Sequence, residues 1–148
     1  MTKRQWMMIS MAVLSVAWVP LLFIPSGDKK DAKALVAELP APYDAADPAR
    51  GQDAFKACVS CHTTTRRGQR LNGPNLYDLF GHKPGLRADF PYSEGFRTAG
   101  FEWDAARLDA YIADPQAVIP GTHMPDPGVD DPQTRRDLVA YLKVATAP

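Results

Sequence analysis

Cys58-Val59-Ser60-Cys61-His62 is the stretch on which the reading of this chain turns. Cys58 and Cys61 are the only two cysteines among 148 residues. Three positions apart, they close too small a loop for a structural disulfide. The second cysteine pair that a four-ligand zinc site would need is missing. A histidine follows directly, completing C-x-x-C-H, the pattern of covalent haem attachment. Two thiols on adjacent turns of chain reach the two vinyl groups of one porphyrin, and His62 is then placed under the iron. The competing reading is a dithiol redox pair, which expects a βαβ context that the flanking sequence does not offer.

His62 leaves one axial position to fill. Of the five methionines, only Met124 lies beyond residue 11. It sits in Ile119-Pro120-Gly121-Thr122-His123-Met124-Pro125, a loop stiffened by two prolines. A thioether favours reduced iron and raises the potential, which suits an electron carrier. Met124 is therefore the expected second ligand, with His123 and His82 as the other choices and gap-filling as the bland role for the methionine.

Working outward, the sequence predicts short helices and much loop. Asp47-Pro48 is an acidic cap followed by proline, predicting a helix to about Ala57 with Phe55 facing a core. Asn75–Phe80 and Ser93–Thr98 read as single turns of helix. Asp104–Ala113 carries Leu108 and Tyr111 on one face and stops at Asp114-Pro115. Asp131-Pro132 opens a last helix to about Ala145, with Leu138, Tyr141, Leu142 and Ala145 recurring at helical spacing. Nothing alternates over a strand's length, so the predicted class is all-α. Helices this short need a large apolar body to pack around, and a haem supplies one.

The N-terminal part reads differently. Trp6 to Ile24 is 19 residues without a charge, about 28 Å as a helix and close to a bilayer core. This predicts an uncleaved single-pass anchor at residues 1–25. A cleaved signal peptide is the rival, but its core should be shorter and its cleavage site nearer. Residues 26–47, rich in alanine and mixed charge with Pro40 and Pro42, are expected to be a flexible linker, and 48–148 the globular domain. Lys30–Leu39 has some helical character but no evident partner. The chain balances 17 basic against 17 acidic residues, which gives no pull toward nucleic acid.

From Gly51 to Ala147 the sequence resembles class I cytochrome c, the mitochondrial and α-proteobacterial type. The residues that carry the resemblance are Gly51, Phe55 and Cys58–His62, then Leu71-Asn72-Gly73-Pro74-Asn75-Leu76 and Leu79-Phe80-Gly81. Tyr92, Trp103, Tyr111-Ile112, Ile119–Met124 and Asp137–Lys143 continue it. Spacing from Cys58 through Tyr141 needs no gap against the family pattern. The resemblance implies a small cytochrome c fold around one covalent haem c, with iron held by His62 and Met124. It implies that the Pro74 carbonyl holds the His62 ring and that Tyr92 and Trp103 donate to a haem propionate. It places Tyr111 and Thr122 beside Met124, and Gly51 where the first helix crosses the last near Tyr141.

Two departures from the family stand out. The arginine usual after Leu-Phe-Gly is His82, so a propionate partner that is always charged becomes one that titrates near neutrality. That predicts a midpoint potential varying with pH. The lysines that ring the haem edge in relatives are replaced by Ala57, Leu71, Gln116, Ala117, His123, Asp130 and Asp131. From Arg50 onward the chain has 12 basic and 12 acidic residues, so long-range steering of partners is expected to be weak.

The function implied is a membrane-anchored one-electron carrier, not an enzyme. It would take electrons from a bc1-type quinol–cytochrome c oxidoreductase and pass them to a terminal oxidase. The expected place is the bacterial cytoplasmic membrane, with the haem domain on the periplasmic side. The alternatives are a fixed cytochrome subunit of a larger membrane complex, a haem enzyme or gas sensor with an open iron site, and a tethered dithiol oxidoreductase.

Overall fold

The computed structural model describes residues 31–148. Six helices carry the architecture: α1 (Ala32–Ala37), α2 (Pro48–Phe55), α3 (Glu94–Thr98), α4 (Ala105–Ala113), α5 (Pro115–Val118) and α6 (Pro132–Ala145), with a 3-10 turn at Tyr43–Ala45. No strand occurs among the described residues. The starts are set by aspartates. The Asp31, Asp47, Asp104, Asp114 and Asp131 side chains each accept from a backbone N–H of the first turn. Pro48, Pro115 and Pro132 stand at the first helical position, where their missing N–H costs nothing.

Helices α2 and α6 cross at Gly51. A Cβ there would collide with the Asp137 carbonyl and lie 2.7 Å from Tyr141 Cβ, so only glycine permits this approach. Phe55 and Tyr141 stack beside the crossing with ring centroids 5.1 Å apart. Asp137 ties the two helices polarly. Its carboxylate is 3 % exposed and accepts from Asp47 N at 2.8 Å, Arg50 Nε at 2.7 Å and Gln133 Nε2 at 3.0 Å. Burial alone would raise this carboxyl, but its donors outweigh burial and hold it below the usual range.

Two apolar clusters fill the interior. The larger joins Trp103, Leu108, Tyr111, Ile119, Val139 and Ala140. The smaller joins Phe55, Leu138 and Leu142, with Leu76, Phe80 and Val129 against it.

The expected flexible linker at 26–47 is corrected over its described part. Leu35, Val36, Leu39, Tyr43 and Ala46 are all buried, and the last four belong to the larger cluster. Residues 32–46 thus form a strap folded onto the domain. Polar ties hold it as well: Tyr43 donates to Asp109 Oδ2 at 3.0 Å, Arg135 Nε holds Asp109 Oδ1 at 2.6 Å, and Lys143 pairs with Glu38 at 2.9 Å. The Tyr43 phenol is pushed up to about 12 by burial and by the Asp109 carboxylate. The physical reason is an apolar face on 35–39 whose partners, Val139 and Ala140, lie a hundred residues further on.

Two smaller differences concern loops. Asn75–Phe80 forms open turns instead of a helical turn. The Asn75 side chain accepts from Tyr77 N at 2.8 Å, and Asp78 takes φ of 56°, which no helix continues through. After Asp114 the chain adds α5, because Asp114 caps a new turn while ending the old one. No helix among the described residues is long and apolar enough to cross a membrane. The anchor predicted at 1–25 lies outside them.

Candidate haem site

The C-x-x-C-H segment leaves α2 as a tight turn. Cys58 N donates to Phe55 O, and Cys61 N and His62 N both donate to Cys58 O. The turn keeps both thiols and the imidazole on one short arc directly beyond the helix. Both cysteines are half-buried and unbridged. Burial, with Asp126 and Cys61 nearby, pushes the Cys58 thiol up. A redox-active pair needs the opposite, a stabilised thiolate, so the dithiol reading loses support.

His62 is prepared as a ligand. Its Nδ1 lies 2.8 Å from the Pro74 carbonyl oxygen. A carbonyl only accepts, so the ring proton sits on Nδ1 and the Nε2 lone pair is free. Burial lowers the His62 pKa against the opposing pull of that hydrogen bond, which keeps the imidazole neutral and able to bind a metal. Gly73 presses on the ring: a Cβ there would stand 2.6 Å from His62 Cε1. The structure therefore brings His62 and Pro74 together as the resemblance implied.

The Met124 loop is braced from below. Tyr111 and Thr122 share a hydrogen bond of 2.9 Å, and Met124 N donates to Thr122 Oγ1 at 3.3 Å. Met124 itself is half-buried against the larger cluster. His123 is exposed, and His82 Nε2 lies 3.1 Å from Asp78 Oδ2. Of the three alternatives for the second axial position, Met124 alone turns inward.

Sequence reasoning missed two supports of this loop. Gln116 spans it, donating to Thr122 O at 2.9 Å and accepting from Gly121 N at 3.0 Å. Gly95 lets α3 lie against it, since a Cβ there would collide with the Pro120 carbonyl. A polar side chain six residues before a buried threonine gives no sequence pattern by which to find it.

The far wall is aromatic. Trp103 is 5 % exposed and packs edge-on to Tyr111 and Phe101, with centroids 5.2 and 5.1 Å away. Phe96 links this group to Tyr92 at 5.2 Å. Burial raises both Tyr92 and Tyr111, so both phenols stay neutral donors. Tyr92 is hydrogen-bonded to the Arg87 backbone.

Among the described residues, the buried side-chain polar atoms without a partner are Arg87 Nη2 and Ser93 Oγ. Both can donate, which fits an anionic acceptor such as a haem carboxylate. The donor chemistry thus suits a haem: two thiols, a neutral imidazole, a thioether, and donors left over. No group of three or more His, Cys, Asp or Glu side chains able to hold a bare metal ion occurs among the described residues.

Residues 48–146 match the family model for cytochrome c. The chain belongs to the cytochrome c family. It is 40 % identical over 102 residues to cytochrome c of Ginkgo biloba, covering 68 % of this chain and 90 % of that protein. It is 40 % identical over 100 residues to cytochrome c2 of Rhodomicrobium vannielii, covering 68 % and 80 %. The solved structure of cytochrome cH from Methylobacterium extorquens superposes with a TM-score of 0.59 at 40 % identity, covering 66 % of this chain and 97 % of that one.

A cytochrome c is an electron carrier and not an enzyme, and it holds one covalent haem c. When bound, the haem supplies the one-electron couple. The residues that would hold it are Cys58, Cys61, His62 and Met124. Pro74 fixes the tautomer, and Tyr111 and Thr122 stiffen the methionine loop.

Proposed function

We propose that this cytochrome c is a membrane-anchored carrier. It takes single electrons from a bc1-type quinol–cytochrome c oxidoreductase and delivers them to a terminal oxidase, on the periplasmic side of a bacterial cytoplasmic membrane. His62 and Met124 would together hold the haem iron, so that the site would exchange electrons without taking a substrate. The observation that carries this reading is the His62 ring held by the Pro74 carbonyl, Nδ1 to O 2.8 Å, with Met124 half-buried against the core. The anchor rests on the uncharged run from Trp6 to Ile24.

The positions where relatives carry lysines hold neither lysine nor arginine, and two of them are the exposed acids Asp130 and Asp131. Ala57, Leu71, Gln116, Ala117 and His123 are exposed, as is Val59, at 52 %. Apolar contact and tethering, in place of a lysine ring, would then bring partners together.

The strap favours a second reading, a fixed subunit of a larger complex, because it removes much of the slack expected before Asp47. Membranes from cells making the full chain decide between them. A haem-stained band of undiminished size in the membrane fraction, reduced by quinol only when the bc1-type complex is present, supports the carrier. Stoichiometric retention in one purified complex supports the fixed subunit. Haem stain confined to the soluble fraction would overturn both.

A further inference from the structure

We propose that Arg87, and not His82, is the permanent cationic partner of a haem propionate in this chain, with Ser93 as a hydroxyl donor beside it. The position after Leu79-Phe80-Gly81 is where the resemblance puts that partner. In this structure the His82 side chain is occupied elsewhere. Its Nε2 faces Asp78 Oδ2 at 3.1 Å, and the two side chains are 42 % and 37 % exposed. Its carbonyl accepts from Trp103 N at 2.9 Å, so its backbone serves the fold while its side chain serves a surface pair.

Arg87 is arranged the other way. Its Nε donates to the Asn75 carbonyl at 3.2 Å, one residue from Pro74, whose carbonyl holds His62. That bond fixes the guanidinium plane against the loop bearing the ligand's support. Its Nη2 is buried without an acceptor, as is Ser93 Oγ. A guanidinium has no acceptor capacity, and burying a cation unpaired is costly. An anion is what completes this corner, and the haem's own carboxylates are the anions the fold encloses.

Tyr92 stands between the two orphans in sequence, with its phenol bonded to the Arg87 backbone. Arg87, Tyr92 and Ser93 therefore form one donor group on one loop. The neighbouring cation, Arg97, is already engaged by Glu94 at 3.2 Å and the Tyr92 carbonyl at 2.6 Å.

The consequence reverses the expectation drawn from His82. An arginine stays charged across the physiological range. The titratable and charged neighbours on its own loop are Asp89 and Tyr92. Neither of these pairs with its free N–H. The propionate then keeps a constant partner, and the midpoint potential is flat from pH 6 to 8.

The inference rests on a covalent haem being present. A colourless protein would sink the cofactor, whereas comparing two substitutions in the red protein tests this assignment alone. Arg87→Gln and His82→Gln are prepared in the haem-loaded chain. Midpoint potentials are read by spectroelectrochemistry, and the propionate environment by NMR of the haem resonances. Losing a buried cation disfavours the less positive, reduced iron. Arg87→Gln is expected to shift the oxidised-to-reduced ratio at fixed potential about tenfold toward oxidised, a fall of about 59 mV for a one-electron couple, and to move the propionate resonances. His82→Gln is expected to shift the ratio less than about twofold.

If Arg87→Gln fails to hold haem, Arg87→Lys keeps the charge and loses the fork. It is expected to keep the oxidised-to-reduced ratio at fixed potential within about twofold of the wild type while moving the propionate resonances. A larger shift in His82→Gln than in Arg87→Gln would overturn the proposal. So would a pH-dependent wild-type potential that His82→Gln flattens, or propionate resonances unmoved by either Arg87 change.

Discussion

Replacing Asp137 by asparagine should unfasten the α2–α6 crossing in a way that depends on pH. The carboxylate is 3 % exposed and accepts from three residues. Asp47 N comes from 2.8 Å, Gln133 Nε2 from 3.0 Å, and Arg50 Nε and Nη2 from 2.7 and 3.3 Å. Arg50 is 60 % exposed, so water screens its share. The two bonds that matter most are those from Asp47 N and Gln133. An asparagine keeps the volume but offers one acceptor oxygen and points an NH2 at groups that also donate. Hydrogen bonds to a charged acceptor contribute about 1.5–3 kcal/mol each. Losing the charge and one of the two bonds should cost about 2 kcal/mol, or about 8 °C in Tm for a domain of this size. Asp137 is held below the usual carboxylate range. Its contribution is therefore fully present above about pH 4 and is lost as pH falls through its folded value. Denaturant unfolding of the haem-loaded protein and of Asp137→Asn, compared from pH 7 down to pH 3, measures this. A constant gap that narrows only below about pH 4 is expected. A gap under about 0.5 kcal/mol at pH 7, or one unchanged at pH 3, would refute the reasoning.

The double variant Leu35→Ala, Leu39→Ala should raise proteolysis and amide exchange across 32–46 while leaving the haem spectrum unchanged. Its cost is capped by the strap's own docking energy, below the about 2–5 kcal/mol typical of each core leucine; unchanged protection would contradict the packing described. Tyr43, with its phenol at about 12 in the folded chain, contributes stability that is present below pH 10 and lost as pH rises from about 10 to 12. Tyr43→Phe should flatten that part of the stability curve in denaturant titrations. Met124→Ala should let the reduced protein bind carbon monoxide at neutral pH, where the wild type does not, as followed by visible spectra. Electron transfer to partners should fall less than about threefold between low and moderate salt, since residues 50–148 balance 12 basic against 12 acidic side chains; stopped-flow rates check this, and a steep decline would point to charge-guided docking.

The helices that position the site were legible because their signals are local. Asp47-Pro48, Asp104 and Asp131-Pro132 announce helix starts within three residues, and the observed caps fall on those aspartates. Gly51 was readable only through the family resemblance, which implied the close approach of α2 to α6 that the structure shows. The strap was not, although Leu35, Val36 and Leu39 share a face. A six-residue helix proves itself only through its partners, and those lie on α4 and α6, distant in sequence. The site divides in the same way. Cys58, Cys61 and His62 form a contiguous pattern, whereas Arg87 carries no motif and stands out only because its Nη2 is buried without an acceptor. The His82–Asp78 contact was not legible either, since position alone does not reveal that Asp78, in a left-handed turn, faces the His82 ring at 3.1 Å.

The strap also sets the length of the leash. Were residues 6–24 in a bilayer, as proposed, a tether running to Asp47 could extend about 75 Å. With the chain fastened down from Ala32 onward, seven residues, 25–31, would separate the proposed anchor from the strap, and they can span no more than about 25 Å. That is less than the width, on the order of 30 Å, usual for a domain of about 120 residues. Such a carrier would pivot close above the lipid surface and serve neighbours within arm's reach, so crowding of donor and acceptor in the plane of the membrane would govern its throughput.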